Sequence, residues 1–146
     1  MKLMTAAIFA IAITSPAFAD ELTIKPGNWQ SQNVITMTMQ MNGQDMAMPA
    51  QTQTRTECVA PEDAVFSPEK LTESGCTTSN VKSSATSLSF DMACNQNGMA
   101  MTGSMDFILS ADKKKGSGTF QMNGSIPGQG AMSVSGELTS KWTGDC

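Results

Sequence analysis

Two residue types in this chain could do chemistry by virtue of their spacing, methionine and cysteine. The stretch ITMTMQMNGQDMAMPA, residues 35–50, places Met37, Met39, Met41, Met46 and Met48 on alternate positions around Asn42-Gly43. Thioethers are soft donors suited to monovalent copper or silver, and alternate residues of a strand face the same way. Such a set could hold a soft metal, line an apolar ligand site, or form the inner face of a hairpin. The four cysteines are Cys58, Cys76, Cys94 and Cys146, and there is no histidine. Zinc-ligand pairs normally sit roughly two to four residues apart. These cysteines are spaced far more widely, so two disulfides are expected and no metal centre at the thiols.

Catalysis needs a nucleophile, acid or base in a defined constellation, and the residues for one are scarce. The chain has no histidine and no tyrosine, and paired cysteines supply no thiolate. Glu57, Glu62, Asp63, Glu69 and Glu73 cluster in sequence, but around Pro61 and Pro68, where carboxylates favour the start of a helical turn. Gly116-Ser117-Gly118 lacks the lysine and following helix of a phosphate-binding loop. Binding and not catalysis is therefore expected, with no cofactor. Trp29 and Trp142 have two readings: they plug one end of a core, or they line the mouth of a ligand site.

The elements that must position these residues read as β-strands. Asn42-Gly43, Asn97-Gly98 and Asn123-Gly124 are hairpin markers, because Asn-Gly accepts the positive φ angles of a tight turn. Leu88, Phe90, Met92 and Cys94 share one parity before the 97–98 turn, and Met99, Met101, Met105, Phe107 and Leu109 share one after it. A two-residue turn puts both sets on one face, which Phe120, Met122, Met132, Val134, Leu138 and Trp142 continue. Period-two patterning of this kind predicts strands at roughly 28–41, 44–57, 77–82, 86–95, 99–109, 117–123 and 131–142. The short LTIK, residues 22–25, is a candidate eighth, and short helical turns are expected around 61–72. The fold class is all-β: an antiparallel up-and-down meander of seven or eight strands, forming a barrel or a strongly curved sheet.

Every methionine after Met4 falls on that shared face. Core filling is therefore favoured over a local metal motif. An adaptable interior for an apolar guest follows, then a thioether site at Met37, Met39, Met41, Met46 and Met48, and then sacrificial oxidation. The expected ligand-lining residues are Trp29, Met37, Met39, Met41, Met46, Met48, Met99, Met101 and Trp142.

At the N-terminus, Met1-Lys2 precedes the apolar run LMTAAIFAIAI and then Ser15-Pro16-Ala17-Phe18-Ala19. That order is expected of a cleavable secretory signal over residues 1–19, with 20–146 as a single domain. The run is shorter than the ~20 apolar residues of a spanning helix, so the protein is not expected to span a membrane. With 9 Lys plus Arg against 13 Asp plus Glu, the chain is acidic, which argues against nucleic acid or an anionic membrane as partner. Lys113-Lys114-Lys115 reads as a solvated turn. The expected protein is a periplasmic or secreted monomer from a Gram-negative bacterium.

Four cysteines allow three pairings. A hairpin with its polar centre near Ala85 places residue 76 opposite residue 94, which gives Cys76–Cys94 and leaves Cys58–Cys146. Lys25-Pro26-Gly27-Asn28-Trp29, the Met-rich hairpin ending in a proline, Cys58 followed by Pro61-Glu62 and Ala64, the two internal cysteines and the terminal Gly144-Asp145-Cys146 carry a family resemblance. Together they resemble the bacterial exported family called domain of unknown function 3617. The resemblance implies an envelope location and a compact cysteine-bridged fold, and brings no established activity. The sequence thus points to an exported binding protein whose Met-rich interior takes a hydrophobic small molecule or lipid. The alternatives are an envelope protein–protein interaction module, working through a sheet edge or the 59–75 segment, and thioether binding of monovalent copper or silver.

Overall fold

Alternating apolar and polar residues, punctuated by turn chemistry, produce eight strands in the computed structural model, which describes residues 21–67 and 75–146. The expected signal segment, and positions 68–72 of the expected helical turns, lie outside these described residues. The strands are β1 (Gly27–Met41), β2 (Gln44–Ala47), β3 (Gln51–Val59), β4 (Cys76–Ser83), β5 (Ser87–Gln96), β6 (Met99–Leu109), β7 (Lys115–Ile126) and β8 (Gly130–Gly144). A single 3-10 turn, Pro61–Asp63, stands for the helical turns in the described part, with Pro61 at its start. No helix among the described residues is long and apolar enough to cross a membrane.

Asn42-Gly43 and Asn97-Gly98 take positive φ, at 53° and 79° and at 53° and 78°, and make the tight β1–β2 and β5–β6 turns that Asn-Gly favours. Asn123-Gly124 does not turn; it lies inside β7, and the chain reverses at residues 127–129 instead. Gly124 is there for space: a Cβ on it would sit 2.7 Å from the Met101 Cγ on the neighbouring strand.

The expected single strand 44–57 is split in two. Pro49 has no N–H to give the ladder, and the register moves from Thr38↔Ala47 in β2 to Ile35↔Gln51 in β3. One extra residue is thereby absorbed at 48–50. β2 and β3 consequently lie one after the other along the same edge of β1.

The sheet order is β2-β1-β8-β7-β6-β5-β4, with β3 also on β1. β4 to β8 form the expected antiparallel meander, but β1 does not extend it in sequence order. It docks antiparallel on β8, from Asn28↔Gly144 to Met39↔Met132. This leaves β3 and β4 as opposite edges, so the sheet is open and not a closed barrel. Both edges carry features that discourage pairing with other chains. β4 has a bulge at Asn80-Val81 between Ser79↔Asp91 and Lys82↔Ser89, where Asn80, at φ 52°, donates through Nδ2 to Asp91 Oδ2 at 2.7 Å. β3 is exposed from Gln51 to Cys58 and carries Arg55 and Glu57.

The register lines the inward residues into rows across the sheet. One row is Met46, Met39, Met132, Gly124, Met101, Cys94 and Cys76; the next is Met37, Val134, Met122, Gly103 and Met92. Ile35, Gly136, Phe120, Met105 and Phe90 follow, then Asn33, Leu138, Gly118, Phe107 and Leu88. Each row contains a glycine beside large side chains. At Gly136 a Cβ would run into the Phe120 ring; glycine lets the ring lie flat over the neighbouring backbone and lets the sheet curl.

Among the described residues, one end of this face is covered. Leu22 and Ile24 run beside residues 64–66 as a short clip, through the Thr23↔Val65 bridge, Ile24 N–H donating to Ala64 O at 2.8 Å and Phe66 N–H donating to Leu22 O at 3.0 Å. The expected eighth strand, LTIK, is therefore no more than this bridge. Under it lies the core of Leu22, Trp29, Leu88, Phe90 and Leu109, with Met92, Met105 and Phe107 packed against it. The methionine rows at the other end have no such cover among the described residues. Met41, Met46 and Met48, expected inside, are 40%, 57% and 43% exposed. The parity assigned them to the correct face, but among the described residues nothing lies over that end of it.

Two disulfides, Cys58–Cys146 and Cys76–Cys94, tie the edges to the sheet. Cys94 lies directly opposite Cys76 across the β4–β5 hairpin. Cys146 reaches back from the end of β8, across β1, to Cys58 on β3.

Candidate functional site

At the covered end, the clip and the sheet enclose an apolar pouch of about 270 Å3. Its walls are Leu22 and Ile24 from the clip, Trp29 from β1, Val59 from β3, Phe66, Leu88 from β5, Met105 and Phe107 from β6, and Leu138 from β8. Ser31, Glu57 and Ser140 are the polar residues on its lining. Glu57 and Phe66 are exposed and border both the pouch and an adjoining, more polar hollow of about 490 Å3. These two residues therefore mark the mouth.

Trp29 lines the pouch, and Trp142 packs beside it against the core. Trp29 and Trp142 are direct partners across β1 and β8. Trp29 Nε1 donates to Lys25 O at 2.7 Å, and Trp142 Nε1 donates to Pro26 O at 3.0 Å. The segment Lys25-Pro26-Gly27 thus satisfies both N–H groups, as buried or half-buried indoles require. Gly27 has φ 131° and leaves no room for a Cβ beside the Trp142 indole nitrogen, which accounts for the glycine in that motif. Lys25 Nζ sits 3.7 Å from the Trp142 ring centroid and Lys114 Nζ 5.3 Å from it, a cation–π arrangement.

The lysine run is therefore more than a solvated turn. Lys113 donates through Nζ to Thr23 Oγ1 at 2.7 Å, tying the clip down. The turn itself is organised by Asp112, which accepts from Ser110 Oγ at 2.6 Å and from the Lys114 N–H at 3.1 Å. Those two hydrogen bonds, helped by the charges of Lys114 and Lys115, hold the Asp112 carboxyl below its ordinary value.

Of the residues expected to line a ligand, the structure brings Trp29 to the pouch and leaves Trp142 beside Trp29, outside the lining. Met37, Met39, Met46 and Met101 lie in the open rows, Met41 stands at the β1–β2 hairpin tip, Met48 follows the far end of β2 with its N–H donating to Met37 O, and Met99 sits at the β5–β6 turn. Of the other apolar residues that form the pouch, Leu88, Met105, Phe107 and Leu138 belong to the face that period-two patterning marks, whereas Leu22, Ile24, Val59 and Phe66 do not. Leu22 and Ile24 alternate in LTIK, and Phe66 is a lone aromatic in a polar loop; these were the available signals. Among the described residues no group of three His, Cys, Asp or Glu is placed to hold a metal ion.

A family model described as "Protein of unknown function (DUF3617)" matches residues 24–146. No curated protein and no solved structure matches the chain.

Proposed function

The chain belongs to the DUF3617 family, and from the shape of its covered end we propose that it is an exported, non-enzymatic binding protein for a small apolar molecule or the apolar part of a lipid. The observation that carries this reading is the pouch of about 270 Å3, walled by aliphatic and aromatic side chains and open at Glu57 and Phe66. Small-molecule sites typically measure about 300–1,000 Å3, so the pouch suits a small guest or one end of a longer one. The remainder of a longer guest would lie along the neighbouring methionine rows, whose flexible thioethers adapt to irregular shapes. An apolar face left open to this extent is itself the mark of an interaction surface. Export is supported by the two disulfides, which persist in oxidising compartments.

The test is a titration of the purified disulfide-bonded protein with N-phenylnaphthylamine, read by fluorescence. Wild type should bind saturably, and Ser31→Phe, which places a ring in the pouch, should bind far more weakly while keeping its circular dichroism. Absence of saturable binding, or equal binding by a folded Ser31→Phe, overturns the reading. Native mass spectrometry of protein taken from its own host then identifies the natural guest by its added mass.

A further inference from the structure

We propose that the open end of the sheet holds a second, separate site: a thioether site for a soft monovalent cation, Cu(I) or Ag(I), built by Met39, Met46, Met101 and Met132. This site goes beyond the pouch and does not depend on it. Met39 on β1 is directly paired with Met46 on one side and with Met132 on the other. Directly opposed residues have Cβ atoms about 4.5–5.5 Å apart. Methionine has freely rotating bonds out to its sulfur, so three thioethers on adjacent strands can converge above β1.

The fourth donor comes through a gap. Next to Met132 the row contains Gly124, and next to Gly124 stands Met101. The Met101 side chain lies over the glycine, since a Cβ on Gly124 would be 2.7 Å from Met101 Cγ. From there its thioether has the free space above Gly124 through which to swing toward Met132. In the adjacent row, Val134 and Gly103 separate Met37, Met122 and Met92, and no comparable run of sulfurs forms.

Packing alone does not account for the four residues. No described residue of the clip packs over them; Met46 is 57% exposed, and Met39, Met101 and Met132 are half-buried. An ion reaches this end of the sheet without disturbing the core. The row ends in the Cys76–Cys94 disulfide, so no thiolate competes for the metal. Neutral sulfur donors, with no carboxylate among the four, select a soft monovalent ion and offer little to calcium, magnesium or zinc.

The experiment titrates the disulfide-bonded protein with Ag(I) in chloride-free buffer, read by native mass spectrometry and by NMR of labelled methionine methyl groups. One silver ion per chain is expected, with shifts concentrated on Met39, Met46, Met101 and Met132, and no complex with Zn(II). The double variant Met39→Leu/Met132→Leu should lose more affinity than the ~10–100-fold typical of an outer-shell change at a metal site. Met92→Leu/Met122→Leu, in the neighbouring row, should bind as wild type does. If the first double variant loses its fold, Met101→Leu, farther from the hairpin, should still weaken binding. Silver bound without fixed stoichiometry, shifts spread over all methionines, or a folded Met39→Leu/Met132→Leu that binds like wild type overturns the proposal.

Discussion

Removing the Cys58–Cys146 bond should cost more stability than removing Cys76–Cys94, although both lie at sheet edges. The first bond spans 88 residues of chain and the second 18. In the loop-entropy account those closures restrict the unfolded chain by about 4.5 and about 3 kcal/mol respectively. The native state should change little in either case, because the cross-linked segments are also held without the bond. Cys76 and Cys94 are register partners in a hairpin. Near Cys146, Asn28 Nδ2 donates to Asp145 O at 2.9 Å and Thr143 Oγ1 donates to Asn28 O at 3.2 Å.

The loss is large against the roughly 5–15 kcal/mol that stabilises a typical domain, and the covered core here is small. Six apolar residues, Leu22, Trp29, Ala64, Leu88, Phe90 and Leu109, are buried among the described ones. The assay is equilibrium unfolding in guanidinium of Cys58→Ala/Cys146→Ala and Cys76→Ala/Cys94→Ala beside wild type. Both variants should show a lower midpoint and a steeper denaturant dependence, because the unfolded chain exposes more surface. The Cys58/Cys146 variant should be the less stable by more than 1 kcal/mol, on the order of the difference between the two loop entropies. An equal cost, or the reverse order, would refute loop closure as the way these bonds stabilise the protein.

Three further expectations follow from other parts of the sheet. Gly136→Val puts methyl groups where the Phe120 ring lies and should destabilise by about 1–3 kcal/mol, as overpacking does, measured as a fall in Tm. Dilute peroxide should oxidise Met46, Met48 and Met41 before Met92 and Met105, which pack against the core, as peptide mass mapping will show; uniform oxidation would mean that the end under the clip is open too. Hydrogen bonds from Ser110 and the Lys114 N–H hold the Asp112 carboxyl below its ordinary value. What Asp112 contributes to the 110–115 turn is therefore complete above the ordinary carboxylate range and is lost as pH falls through its lowered value. The Lys114 amide resonance should report that transition, and Asp112→Asn should abolish it.

Much of the sheet was legible from residue order because it depends on local rules. The Asn42-Gly43 and Asn97-Gly98 turns form where their φ preferences place them, and period-two counting outward from them puts the methionines on one face. Counting from a centre at Ala85 also places Cys76 opposite Cys94; in the structure the pairs nearest the turn, Ser83↔Leu88 and Lys82↔Ser89, are offset by one, and the bulge at Asn80-Val81 restores that pairing. The same rule misplaced the turn at Asn123-Gly124: there the glycine serves Met101 on another strand, a demand invisible within β7.

What tertiary structure alone decided is which parts of that face are covered. Parity says that Met46 and Phe90 look the same way; it does not say that Phe90 is buried in the cluster with Leu22 while Met46 is 57% exposed. The docking of β1 on β8, the edges left at β3 and β4, and the clip of 22–24 against 64–66 all join residues distant in sequence. Such pairings are chosen by how much apolar surface each arrangement removes from water, summed over the whole molecule. For that reason the pouch appears only when the chain is folded, whereas the methionine face was already written in the alternation of residues.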